Sequence, residues 1–357
     1  MVAAGISWVK PVKLPRDLRI VPRPSRLTPT IAKISNSQRN KLEGRAAANM
    51  TDWFQILTGL SETAIEGPMA DCFLLEDEFI TSKGNGRRMR AGMFETPTLA
   101  DLRLRARQLG HDRPNGPIRV REHIGDAEDL HRNPSNAGAL IQAASQFNAL
   151  EMPSPSVIPE DGIAGYEHDH TQGPQCAIAC GAGTIWRNYL IKRLDGTRGQ
   201  RSDSQLDCLE DLVSDCGTSF TMNNGYALPS IQQLQQANSH ISTLTDTERD
   251  ALADRLRIAL MHHSEVTMPG VPQPGHVVTQ AYCSALPLGY SSHSQANWEP
   301  IARLVLDATY DATLNAARIN AAVTGNHNAY LTLDGGGVFQ NPISWIVDAI
   351  ERALLRH

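Results

Sequence analysis

HVVTQAYCSAL at 276–286 and AYLTL at 329–333 are apolar runs of strand length, separated by a helical stretch near 298–322 and followed by a second helix from Pro342. Strand, helix, strand, helix predicts parallel neighbours joined by a right-handed crossover, because a right-twisted strand feeding a right-handed helix packs back onto its sheet only that way. In such sheets ligands bind beyond the carboxyl ends of the strands. That rule brings two loops to one crevice, the one after Leu333 and the one before Pro174.

Working outward, ALIQAAS at 139–145 is bounded by Asn136, Gly138 and Asn148 and reads as a buried strand. Pro153, Pro155 and Pro159 disfavour helix over 149–173, which is expected to be a semi-rigid connection. Pro174 fits the first turn of a helix predicted to run unbroken to a stop at Gly196. Residues 204–214 and 246–262 read as two more amphipathic helices, with turn chemistry at Asn224 and Gly225 between them. The second is capped by Thr245 or Asp246 and carries Leu252, Leu256 and Leu260 at four-residue spacing. Residues 51–132, with short apolar runs, a turn at 84–86 and a helical stretch near Thr98, form an N-terminal accessory region.

The composition, 41% hydrophobic and 20% charged over 357 residues, is that of a soluble globular protein with room for a sizeable core. No apolar run approaches the roughly 20 residues that span a bilayer, and no secretory leader is recognisable. The net charge of −5 conceals an excess of +8 in residues 1–50, where ten Lys and Arg face only Asp17 and Glu43. This proline-rich tail has no amphipathic period and is expected to be a disordered, solvated extension. Its charge suits nucleic acid, an acidic partner or an anionic membrane, and organelle targeting is an open alternative to the default cytoplasmic location. Apart from the tail, nothing points to nucleic acid. The six cysteines are scattered and read as reduced thiols.

LDGGGVFQNP at 333–342 sets three glycines between a strand and a helix. Backbone N–H groups in such a turn, with the positive end of the helix, make a site for a phosphate or diphosphate. EDGIAGYEHDHTQGP at 160–174 packs four acids, two histidines and three glycines into one loop that ends at a helix amino terminus. Asp161 and Asp169 could face a common substrate, one polarising a hydroxyl or water and the other stabilising positive charge; equally, both residues suit turns. His168 and His170 flank Asp169 and raise a zinc reading, but alternate residues on extended chain share a face that the middle one does not. Cys176 and Cys180 are expected to pack against the sheet, and His262 and His263 to form a solvated helix end.

Three blocks in order, 133–155, 160–190 and 329–350, resemble the macro-domain-like ADP-ribosylhydrolases of the MavL type that act on ADP-ribosylarginine. The similarity covers about 133–350 and is weakest over 199–270. It implies an α/β fold, a macro-domain-like three-layer α/β/α sandwich with a mixed, largely parallel sheet, occupying 133–357 with a variable helical insertion at about 199–270. By the same resemblance Asp161 and Asp169 are the catalytic aspartates, and Tyr166, Thr171, Gln172 and Gly173 shape ribose and phosphate contacts. Ser145, Gln146, Phe147 and Asn148 would line the cleft, while Asp334, Gly335, Gly336, Gly337, Val338, Phe339 and Asn341 would hold the diphosphate and distal ribose. Two positions depart from the pattern: Gln340 where glycine is common, and Asp334, whose charge would oppose a diphosphate unless it turns away or bonds a ribose hydroxyl.

The implied activity is removal of mono-ADP-ribose from a protein arginine, with ubiquitin one candidate protein, and with no metal or cofactor. Cleavage of that N-glycosidic bond builds oxocarbenium-like charge, which a carboxylate stabilises while another group orients water. Glu167 could pair with the guanidinium leaving group. Two other readings are a reader that binds ADP-ribose without hydrolysing it, and a metal-dependent hydrolase built on residues 167–170.

Overall fold

A computed structural model describes residues 52–109, 118–193 and 195–357. The tail at 1–50 lies outside the described residues.

The described residues open with helix α1 (Trp53–Thr58) and an antiparallel meander of β1 (Phe73–Glu76), β2 (Phe79–Ser82) and β3 (Arg88–Arg90). Strand β4 (Met93–Glu95) and helix α2 (Leu99–Gln108) follow, α2 being fixed by a Thr98–Asp101 capping box. Then come α3 (Ala127–Arg132), β5 (Leu140–Ala144), α4 (Gln172–Ala179) and α5 (Gly181–Ile185), which runs into a π-turn at Trp186–Leu190. Helix α6 (Glu210–Asp215), the hairpin β6 (Met222–Asn223) and β7 (Tyr226–Ala227), and helices α7 (Ile231–Thr243) and α8 (Asp246–Ala253) complete the middle. The last elements are β8 (Ala259–Glu265), β9 (Val277–Cys283), α9 (Gln295–Thr324), β10 (Ala329–Tyr330) and α10 (Ile343–Arg356).

Five strands form one mixed, partly parallel sheet in the order β10-β5-β9-β8-β4, with β5 parallel to both of its neighbours and β8 antiparallel to both of its own. Alternation along each strand divides the core between two faces. Leu140, Leu260, Ala281 and Cys283 pack on the side of α2, α7, α9 and α10. Ile141, Ala143, Met261, Val278 and Tyr282 pack with Ala127 of α3 and with Cys176 and Cys180. The fold is therefore an α/β sandwich. Residues 52–132 contribute the edge strand β4 and the helix α2 that packs on α9.

Several expectations need correction. Strands β9 and β10 are parallel but not neighbours, because β5 lies between them. The helix expected over 246–262 stops at Ala253, and the chain re-enters the sheet as β8. A spacing of four is even, so Leu256 and Leu260 suit one face of a strand as well as a helix; Leu260 pairs with Glu95 and Ala281. His262 and His263 therefore lie in the sheet, where His262 Nε2 sits 2.8 Å from Glu95 Oε1 and His263 occupies a bulge with φ +54. The helix after Pro174 is interrupted at Cys180 and ends at Ile191, well before Gly196. At the break Gly181 is so tightly packed that a Cβ would lie 2.5 Å from Leu57. The helix at 204–214 shrinks to Glu210–Asp215, and α7, with its Ser230–Gln233 capping box, was not foreseen.

Candidate functional site

The carboxyl ends of β5, β9 and β10 lie together, and the loops leaving them are tied to one another. Ser145 N–H donates to Cys283 O (2.7 Å), Gly289 N–H to Phe339 O (3.0 Å), and Asn341 Nδ2 to Leu286 O (2.8 Å). Gly335 has φ +75, and a Cβ there would stand 2.4 Å from Ala285 Cβ, so glycine is required on both counts. Gly336 N–H closes a turn onto Leu333 O, and Gln340 N–H another onto Gly337 O (both 3.0 Å). Gln340 itself adopts φ +59, the backbone state that favours the glycine its position otherwise suggests.

The glycine loop presents open donors. Among the described residues no hydrogen-bond acceptor is found for the N–H groups of Gly337, Val338 and Phe339, and Gly337 faces open space. Successive free amides of this kind attract an anion. Phe339 is buried against Tyr226 and Tyr290, with ring centroids 5.6 and 5.7 Å away. Asp334 does not turn outward. It is buried, its N–H donates to Tyr310 Oη (3.0 Å), and one carboxyl oxygen has no partner. Burial, and then the charge of Glu151, push its carboxyl well above the usual carboxylate range, partly offset by the Gly335 N–H.

In the acid loop most polar groups are already engaged by the protein. Asp161 is exposed and accepts from Ile158 N–H (2.9 Å), capping a single helical turn. Asp169 is half-buried and accepts from Thr171 N–H (2.9 Å). Among the described residues no hydrogen bond joins the two aspartates. Glu167 accepts from Trp53 N–H (3.0 Å), at the start of α1. Gln172 substitutes for a neighbouring strand, its side chain accepting from Ala144 N–H (2.8 Å) and donating to Gln142 O (2.7 Å). Thr171 is exposed at the start of α4, and His168 and His170 are exposed as well. Among the described residues no three His, Cys, Asp or Glu side chains are grouped so as to hold a metal.

Residues 145–148 are also locked in place. Ser145 Oγ donates to Leu150 O, Gln146 Oε1 accepts from Met152 N–H, and Asn148 bridges Leu150 N–H and Gln205. Phe147 is in the core, with its N–H donating to Gly225 O (3.0 Å). Asn148, Gln205 and Asn224 form a hydrogen-bonded relay, of which Gln205 and Asn224, with Ile158, line a polar cavity of about 400 Å³.

Two residues at the site carry no role in the sequence reading, Glu151 and Glu62. Glu151 lies at the centre, with its N–H on Tyr166 Oη (3.0 Å) and its carboxylate so close to α4 that a Cβ on Gly173 would meet Oε2 at 2.3 Å. Burial pushes its carboxyl up to about 8; the charge of Arg187 and the neighbouring Ser145 hydroxyl oppose this, and Asp169 adds to it. Its Oε1 has no partner. Glu62 accepts from the N–H groups of Ile163 (2.9 Å) and Ala164 (2.7 Å) and from Tyr189 Oη, and Trp53 Nε1 donates to Ile163 O (3.1 Å). The amino-terminal segment thus clamps the acid loop. A signal for Glu151 existed, a lone acid in the otherwise uncharged stretch ALEMP; no local signal links Glu62 to a loop a hundred residues away.

Comparison with family models, curated proteins and solved structures returned no match.

Proposed function

We propose that this chain is a macro-domain-type ADP-ribosylhydrolase that cleaves the N-glycosidic bond between mono-ADP-ribose and an arginine side chain. One observation carries the reading: the free amides of Gly337, Val338 and Phe339 follow the carboxyl end of a parallel strand, and the loop that holds them neighbours two acids, since Phe339 packs on Tyr226, a charge neighbour of Glu151 and Asp169. The amides suit the diphosphate. The aromatic group of Tyr226, Tyr290 and Phe339 offers an apolar surface beside it.

Asp169 is the acid placed to act. It is half-buried and is a charge neighbour of Glu151 and Tyr226. As the bond from C1″ to the guanidine nitrogen breaks, the electron pair leaves with nitrogen and positive charge develops on the ribose, which a carboxylate stabilises. Water then attacks C1″ and its proton passes to a carboxylate. Asp161 caps the turn whose Ile158 lines the polar cavity, and in this reading serves acceptor binding more than bond cleavage.

The test is a panel of peptides carrying ADP-ribose on arginine, serine or glutamate, with free ADP-ribose followed by mass spectrometry. Release from arginine is expected to exceed that from the other linkages. A second reading, an ADP-ribose reader, is favoured by the engagement of both aspartates with backbone amides. Calorimetric binding of ADP-ribose without release from any peptide would establish it instead.

A further inference from the structure

Glu151 and Asp334, the latter the residue that opens the glycine loop, are charge neighbours only 2% and 1% exposed, and each has a carboxyl oxygen with no hydrogen-bond partner. Buried ionised carboxylates need donors or cations, and two that face each other cannot both ionise without strong repulsion. The cation that faces Glu151 is Arg187, fully buried on the π-turn. Its Nε donates to Ala149 O (2.9 Å) and its Nη2 to Thr184 Oγ1 (3.2 Å), while its plane stacks 3.5 Å over Tyr282; Nη1 is unpartnered. Arg187 therefore makes no direct hydrogen bond to either carboxyl.

The other titratable neighbours are acids. Glu151 faces Asp169 and Tyr166 from the acid loop, Tyr226 from β7, Cys176 from α4 and Tyr282 from β9. Asp334 faces Cys283 from β9 and Tyr310 from α9. Ionising both carboxyls beneath the amides of Gly337, Val338 and Phe339 would cancel the attraction those amides hold for an anion.

We propose that Glu151 and Asp334 form a proton-holding carboxyl pair beneath the glycine loop, and that a diphosphate-bearing ligand binds there only while the pair is uncharged. This rests on the proposed function, and it deepens that reading by coupling ligand binding to a proton. No bond is made or broken. An uncharged pair leaves the attraction of the Gly337, Val338 and Phe339 amides for an anion uncancelled, without touching the ligand. The upward push on both carboxyls agrees with this arrangement.

The experiment is calorimetry on the full chain with two probes, ADP-ribose and inorganic pyrophosphate, from about pH 6 to about pH 9 in two buffers of different protonation enthalpy. The expected result is affinity that falls up to about tenfold per pH unit above about pH 8, with proton uptake approaching one per ligand there. Glu151→Gln is expected to flatten that profile while retaining the low-pH affinity. Pyrophosphate binding with proton uptake that is abolished in Glu151→Gln, in the absence of ADP-ribose binding, would support the carboxyl pair and remove the ADP-ribose reading. Binding of ADP-ribose above about pH 8 with no proton uptake, or binding of neither probe, would overturn the proposal. An unchanged pH profile in folded Glu151→Gln would do the same.

Discussion

Asp311 on α9 and Glu151 in the loop after β5 are both buried carboxyls, but the surroundings treat them in opposite ways. Asp311 accepts from Arg103 Nε (3.1 Å), Arg356 Nη1 (3.1 Å), Asn315 Nδ2 (2.8 Å) and His357 Nε2 (3.0 Å). Burial pushes its carboxyl up, yet the donors His357 and Arg103 outweigh that and hold it down at about 2. Arg103 in turn reaches Asp250 and Asp254 on α8 and just beyond it, so the cluster binds α2, α8, α9 and α10 together. Glu151 has one opposing cation, no direct bond to it, and an unpartnered oxygen. A buried acid with every lone pair engaged holds helices together; one left incomplete at the carboxyl ends of parallel strands is suited to a ligand.

Removing the first acid tests the contrast most severely. Asp311→Ala leaves Arg103 short of its buried partner and is expected to lower unfolding free energy by about 3–5 kcal/mol in urea titrations. ADP-ribose affinity of the folded fraction should be retained.

The two acids also predict opposite pH behaviour. Glu151 is raised, so its contribution to stability is full below about 4.5, the ordinary value of a glutamate, and is lost as pH rises through about 8. Asp311 is lowered, so its contribution is present above 3.8 and is lost as pH falls through about 2. Between about pH 5 and 8 the melting temperature of the wild type should fall by about 5 °C or more relative to Glu151→Gln. Parallel melting curves for the two proteins would remove the claim that Glu151 folds uncharged.

Within the glycine loop, Gly335→Ala meets both a positive φ and Ala285, and should cost about 2–3 kcal/mol. Gly337→Ala meets open space and should change stability by less than about 0.5 kcal/mol while weakening ADP-ribose binding, since its methyl would stand beside the free amides. Equal melting temperatures for the two variants would contradict the loop geometry. The smallest effect is a gain: Gln340→Gly relieves φ +59 and is expected to stabilise the chain by about 0.5–1 kcal/mol.

Much of this arrangement was legible from local pattern. The strand-to-helix glycine loop and the long helix α9 carry period and turn signals that read directly, as does the strand at Leu140–Ala144. Strand β8 was hidden because Leu256 and Leu260 obey a spacing that both periods allow. The acid loop was recognised by composition, but composition does not show that Glu167 caps α1 or that Gln172 completes the edge of β5. Glu151 and Glu62 depend on tertiary burial and on partners far along the chain, which no local window contains.

The central proposal is that Asp169, a charge neighbour of Glu151, performs the cleavage. The direct measurement is single-turnover release of ADP-ribose from an arginine-ADP-ribosylated peptide by wild type and Asp169→Asn, each checked for ADP-ribose binding by calorimetry. The account predicts release by the wild type and at least about a hundredfold slower release by the variant, with ligand affinity retained. Undiminished release by Asp169→Asn would contradict it.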